Sequence, residues 1–201
     1  MINKLKVSSI LLILTLVIIG CSKIAGIEKG TVKVTRSDLF EGESKKLKPH
    51  MGLISGCVKV KYKGDKKFIS CKYEIWENGE ITETSGLFSK SIDGEFEGEV
   101  SISLKELINN DLEISEDMIM TTAIGNESGY SSNRRYIKRF DKEYGYSPYD
   151  LTEEIIETDE AEIDVWGLMA EDDNIYSPKS SIQETAKEMD WAIVLKIYFE
   201  D

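Results

Sequence analysis

EFEGEVSISL, residues 95–104, decides the fold class. Phe96, Gly98, Val100, Ile102 and Leu104 fall on one side of an extended chain, with Glu95, Glu97, Glu99, Ser101 and Ser103 on the other. Side chains of a strand alternate between two faces, so this segment reads as a strand with one face in a core and one in water. TVKVTR (31–36) repeats the pattern over a shorter span. WAIVLKIYF (191–199) is apolar nearly throughout, as expected of a central strand covered on both faces. Further strand patterns lie at 118–124, 135–140 and 162–169.

Residues 54–84 read as a three-strand meander. Lys63-Gly64-Asp65-Lys66 has glycine where a type II′ turn needs it, and Glu77-Asn78-Gly79-Glu80 carries the strongest short hairpin signal. Centring the first turn on Gly64-Asp65 sets Val60 opposite Ile69, Val58 opposite Cys71 and Ile54 opposite Ile75. Helical signals are short. Ser181 and Glu184 have capping-box spacing ahead of 182–189, and Ser103 and Glu106 share it ahead of LINN. Many short strands with few helical segments predict an all-β fold, an antiparallel two-sheet sandwich with one or two short helices; α+β is the alternative.

The N-terminus carries Lys4 and Lys6, then an apolar run from Val7 to Ile19 interrupted by Ser8, Ser9 and Thr15. Such a run falls short of the ~20 apolar residues that span a bilayer and matches the h-region of a secretory signal. It ends in Ile18-Ile19-Gly20-Cys21, which resembles the lipobox of bacterial lipoproteins; Ile19 departs from the commoner Ala or Ser. The resemblance covers residues 1–23. It implies a signal peptide over 1–20, diacylglyceryl and palmitate-type acylation of the Cys21 thiol, and cleavage just before it. It also implies anchoring at the extracytoplasmic face of a bacterial cell membrane. Two acyl chains suit a stable anchor, because one myristoyl-length chain binds only marginally. Residues 21–30 then form a short tether reaching at most ~30 Å. Residues 31–201 form one β-rich domain, with no repeat or low-complexity tract to divide it.

The chain of 201 residues has a formal charge of -12, unevenly distributed. Residues 28–72 hold 12 Lys/Arg against 5 Asp/Glu, and residues 73–201 hold 10 against 32. The simpler reading is that strands from the two regions pair and offset one another's charges. The sharper reading is a basic pole facing anionic lipid or wall polymer. An acidic total argues against a nucleic-acid binder, which needs a basic footprint.

The catalytic inventory is thin. The single histidine, His50, sits in KLKPHMG (46–52), which reads as a Pro/Gly-flanked loop, and no G-x-S-x-G, P-loop or G-x-G-x-x-G occurs. With Cys21 lipidated, Cys57 and Cys71 remain; the hairpin register sets them on opposite sheet faces, predicting two unpaired thiols with Cys71 in the core. No metal site or cofactor is implied. EDDN (171–174) and ETDEAEID (157–164) lack the calcium-loop pattern and read as solvated turn and strand edge.

Two stretches stand out as binding candidates. RRYIKRF (134–140) is a basic island whose Arg134, Arg135 and Arg139 suit carboxylate or phosphate, unless they neutralise a Glu-rich neighbouring strand. YGYSPYD (144–150) sets Tyr144, Tyr146 and Tyr149 around Ser-Pro, as rings for stacking on sugar or as a turn covering the sandwich edge. The expectation is a membrane-tethered, non-enzymatic envelope module that contacts a protein or wall polymer. A tethered binder of a small ligand or glycan, and a wall glycan hydrolase using paired carboxylates, are the alternatives.

Overall fold

A computed structural model describes residues 27–172 and 177–201. The expected signal peptide and the acylation site Cys21 lie outside the described residues. The described chain forms two antiparallel sheets. In chain order the strands are β1 (Thr31–Ser37), β2 (Leu53–Lys63), β3 (Phe68–Glu77), β4 (Glu80–Ser91), β5 (Glu95–Ile108) and β6 (Ile114–Asn126). They continue as β7 (Gly129–Lys138), β8 (Gly145–Asp150), β9 (Ile155–Thr158), β10 (Ile163–Glu171) and β11 (Trp191–Glu200). The first sheet has the order β7-β6-β5-β2-β1-β9, the second β4-β3-β11-β10-β8. A 3-10 turn (Gly42–Leu47) runs into α1 (Lys48–Met51), and α2 (Ile182–Ala186) precedes β11. This is an all-β two-sheet sandwich. Among the described residues no helix is long and apolar enough to cross a membrane.

The alternation of β5 is realised as read: Phe96, Val100, Ile102 and Leu104 are buried in the core between the sheets. The opposite face carries a charge ladder. Lys59, Lys61 and Lys63 of β2 stand directly across from Glu99, Glu97 and Glu95 of β5, at 4.0, 2.7 and 3.4 Å. Here lysines of the basic first third of the chain are interleaved with glutamates of the acidic remainder. Each exposed pair contributes only about 0–1 kcal/mol. Their stronger effect is on register, since like charges set directly opposite are unfavourable.

β11 lies between β3 and β10, the centre of the second sheet. Ile193, Leu195 and Ile197 enter the shared core, and α2 covers the far face with Ile182 and Ala186. Ser181 caps that helix, accepting a hydrogen bond from the Glu184 amide at 3.1 Å. The capping-box signal at Ser103 and Glu106 is overruled, because both lie within β5. A locally helical spacing loses to a strand whose inward face supplies the core.

The meander is corrected. β3 and β4 do form the Asn78-Gly79 hairpin, with φ of 50° and 79° at its central residues as a type I′ turn requires. β2 and β3, however, belong to different sheets, so Val60 does not face Ile69 across a ladder. Residues 64–67 instead carry the chain from one sheet to the other. Gly64 is needed for space: a Cβ there would lie 2.1 Å from the Tyr62 hydroxyl, which bonds Asp159 at 2.9 Å. Cys57 consequently lies opposite Ser37 and Ser101, and Cys71 opposite Phe88 and Ile197. Both thiols are buried and unpaired, in different sheets, with Cys71 in the core. Two further segments differ from the expectation. Residues 145–150 are strand β8 rather than a turn, and the expected loop around His50 is helical, part of the run 42–51.

Candidate binding surfaces

β7 is the outer strand of the first sheet. It follows β6 through Glu127-Ser128, where the Ser128 amide bonds the Asn126 side chain at 3.1 Å. Its register with β6 then runs unbroken from Gly129 to Lys138. Just beyond it, the Arg139 amide donates to the Glu116 carbonyl at 2.7 Å. Hydrogen bonding alternates along an antiparallel ladder. The odd-numbered residues of β7 therefore bond β6, and Tyr130, Ser132, Arg134, Tyr136 and Lys138 turn their N–H and C=O outward. The side chains of these five also share the solvent-facing side of the sheet, where Tyr130 and Tyr136 are 78% and 69% exposed.

The three arginines of this region separate into three environments. Arg134 is exposed and reaches only the Thr121 hydroxyl, at 3.4 Å. Arg135 points inward and plugs the side of the sandwich between β7 and β4. Its guanidinium bonds the Ser85 hydroxyl at 2.7 Å and the Gly86 carbonyl at 3.1 Å, and lies 5.4 Å from the Tyr73 ring centre. Arg139 is buried, bound to Glu106 at 2.6 and 3.0 Å and to the Phe140 carbonyl at 3.0 Å. Only Arg139 fits the expectation of neutralising a neighbouring acid. Among the described residues, Arg134, Arg135 and Lys138 make no ion pair.

The three candidate tyrosines form no common platform. Tyr146 packs its ring 5.1 Å from Phe140, which in turn lies 5.3 Å from Trp191. Tyr149 is on the other face of β8 and donates its hydroxyl to the Lys179 carbonyl at 2.8 Å. Tyr144 precedes the strand; burial and the nearby Asp190, Asp141 and Asp172 carboxylates push its phenol above the usual range.

Beside Tyr149 runs a groove of about 750 Å³, lined by Leu151, Glu153, Glu157, Asp164 and Ile182 among others. It lies where the chain crosses from β8 to β9 and back to β10. Three of its carboxylates are bound to lysines: Glu154 to Lys33 at 2.6 Å, Glu162 to Lys72 at 2.6 Å and Asp164 to Lys196 at 2.7 Å. Lys196 is buried and also lies 3.5 Å from Glu74. Burial alone would lower its pKa, but the hydrogen bond and charge of Asp164, with Glu74 behind them, raise it above the ordinary lysine value. These three carboxylates are ion-paired, whereas Glu153 and Glu157 of the same lining make no ion pair among the described residues. The groove was missed in the sequence, although Lys196 is the one charge within WAIVLKIYF and so marked where an acidic partner had to be. His50 is exposed in α1. No cluster among the described residues is suited to hold a metal ion.

Comparison with protein-family models, with curated proteins and with solved structures finds no match for this chain.

Proposed function

We propose that the protein is a non-enzymatic interaction module of the bacterial cell envelope, held at the membrane by a lipid on Cys21. The observation that carries the reading is the order of basic residues, apolar run and Ile18-Ile19-Gly20-Cys21 ahead of a β-sandwich. The placement of β1 supports it. Gly30, next to Thr31, donates to the Lys63 carbonyl at 2.7 Å and accepts from the Asp159 amide at 3.0 Å, so the chain enters at one pole. The hairpin tip at 109–113 and the helical turn at 42–51 lie at the other, and the long edge strand β7 runs between the poles. Cys21→Ala should move the protein from the membrane fraction to the soluble one, and should abolish the acylated N-terminal peptide in mass spectrometry. Retention after a high-salt wash would refute the anchor.

The groove beside Tyr149 favours a second reading, a tethered binder of a small ligand or glycan. A rise in melting temperature with cell-wall saccharides would support it, since a ligand that binds only the folded state stabilises by mass action.

A further inference from the structure

We infer that β7 is a docking edge, which takes up an extended, acidic segment of a partner protein as an added strand of the first sheet. This deepens the interaction-module reading and rests on it.

A free edge strand offers a row of unpaired N–H and C=O groups, and proteins normally blunt such edges with proline, bulges, brevity or charge. The other three edges here show those devices. β8 contains Pro148, β9 has four residues, and β4 breaks register with β3 between Cys71 and Lys72 and again between Ile75 and Trp76. β7 spans ten residues without proline or bulge, and its device is charge alone: Arg134 and Lys138 stand on the outward positions and Arg135 turns inward, which repels a like strand and admits an acidic one. Among the described residues, none of the outward amides of its even-numbered positions has a backbone partner. Strand addition uses such an edge, with main-chain bonds supplying affinity and flanking side chains supplying selectivity.

Charge identifies the occupant. β7 carries Arg134, Arg135 and Lys138 and no carboxylate. The cations of β2 are matched to the glutamates of β5, whereas those of β7 face neighbours that leave them unpaired. A second copy of the chain would bring two such strands together, with Arg134 and Lys138 of each, four outward cations, and no carboxylate on either strand. An acidic segment would instead place carboxylates opposite Arg134 and Lys138, and the exposed rings of Tyr130 and Tyr136 would pack on its apolar residues. The protein's overall negative charge does not prevent this, because exposed charges beyond ~8 Å are largely screened at physiological ionic strength.

The test uses the full chain in detergent micelles and a fluorescein-labelled peptide, Thr-Glu-Val-Glu-Val-Glu-Thr-Glu-Val, read by anisotropy. Two further peptides are N-methylated, one on each alternate set of amides. One methylated peptide should lose binding and the other keep it, because an added strand turns one set of amides toward β7. Ser132→Pro removes an outward amide without touching the β6 ladder, and should weaken binding about tenfold or more. Arg134→Glu with Lys138→Glu should do the same and flatten the salt dependence. Equal binding by both methylated peptides would reduce the interaction to adsorption of a polyanion and overturn the proposal, as would no binding of the parent peptide. Self-association abolished by Ser132→Pro would assign the edge to a second copy and overturn it too. Should Ser132→Pro fail to fold, the methylated peptides and the charge variant still decide. None of these results bears on membrane partition, so the lipid anchor stands or falls separately.

Discussion

Gly56 of β2 faces Trp166 of β10 across the interior, and replacing it with alanine tests how the two sheets are keyed together. A Cβ at position 56 would lie 2.0, 2.2 and 2.6 Å from Cδ1, Nε1 and Cγ of the indole. Carbon atoms in contact rest ~3.5–4.0 Å apart, so the ring has to retreat by about 1.5 Å. Trp166 is only 2% exposed, leaving it nowhere to go without displacing neighbours. Overpacking of this kind costs about 2–3 kcal/mol. That is a sizeable share of the ~5–15 kcal/mol that stabilises a domain, and it corresponds to a fall in melting temperature of roughly 5–10 °C. The indole N–H has no hydrogen-bond partner among the described residues, so Trp166→Phe sacrifices volume and no polar contact. Alone it should cost about 2 kcal/mol or more as a large-to-small change. Together, Gly56→Ala and Trp166→Phe should cost at least ~1 kcal/mol less than their sum, because the smaller ring vacates the space the new methyl needs. Urea denaturation followed by circular dichroism measures all four corners of the cycle. A Gly56→Ala loss below ~0.5 kcal/mol, or strict additivity, would refute a keyed interior.

The two buried thiols predict an alkaline limit on stability. Burial pushes Cys57 and Cys71 from 9.0 up to about 12, with the Glu99 charge adding to the effect at Cys57. Below pH 9 both folded and unfolded chains keep these protons, and the stabilisation is intact. From pH 9 to 12 only the unfolded chain loses them, so stability should fall by about 1 kcal/mol per pH unit for each thiol. Cys71→Ala should flatten the curve measured by urea titration, and an unchanged slope would remove Cys71 as its source. Neither thiol should react with a disulfide reagent at pH 8 until the protein is unfolded. Removing residues 192–201 should abolish the cooperative transition, because β11 holds β3 and β10 together; a truncated chain melting normally would contradict its central position.

Most of the strands were legible because their information is local. The alternation in 95–104 and the apolar continuity in 191–199 each state which faces are covered, and burial follows from that. The crossing from β2 to β3 was not legible. Lys63-Gly64-Asp65-Lys66 looks like a hairpin turn, yet what fixes Gly64 is the Tyr62 hydroxyl and Asp159, the latter nearly a hundred residues away. The same holds for β9, four residues long, whose pairing with β1 depends on where the chain returns after β8.

The binding edge was half legible, and the missing half is strand order. RRYIKRF shows its cations and its alternation directly, and from those alone a neutralising glutamate strand is the simpler reading and a ligand the sharper one. Such a strand exists, but β5 lies next to β2, where Lys59, Lys61 and Lys63 take up its glutamates. β6 separates β7 from it, and the residues of β6 opposite Tyr136 and Arg134 are Ile119 and Thr121. Asp117 stands opposite Lys138 without closing to an ion pair. Position in the sheet thus decides the meaning of a basic strand. The lysines of β2 fix register within the first sheet, paired on its solvent face with the glutamates of β5, while Arg134 and Lys138 of β7, at its margin, have no acid closed on them.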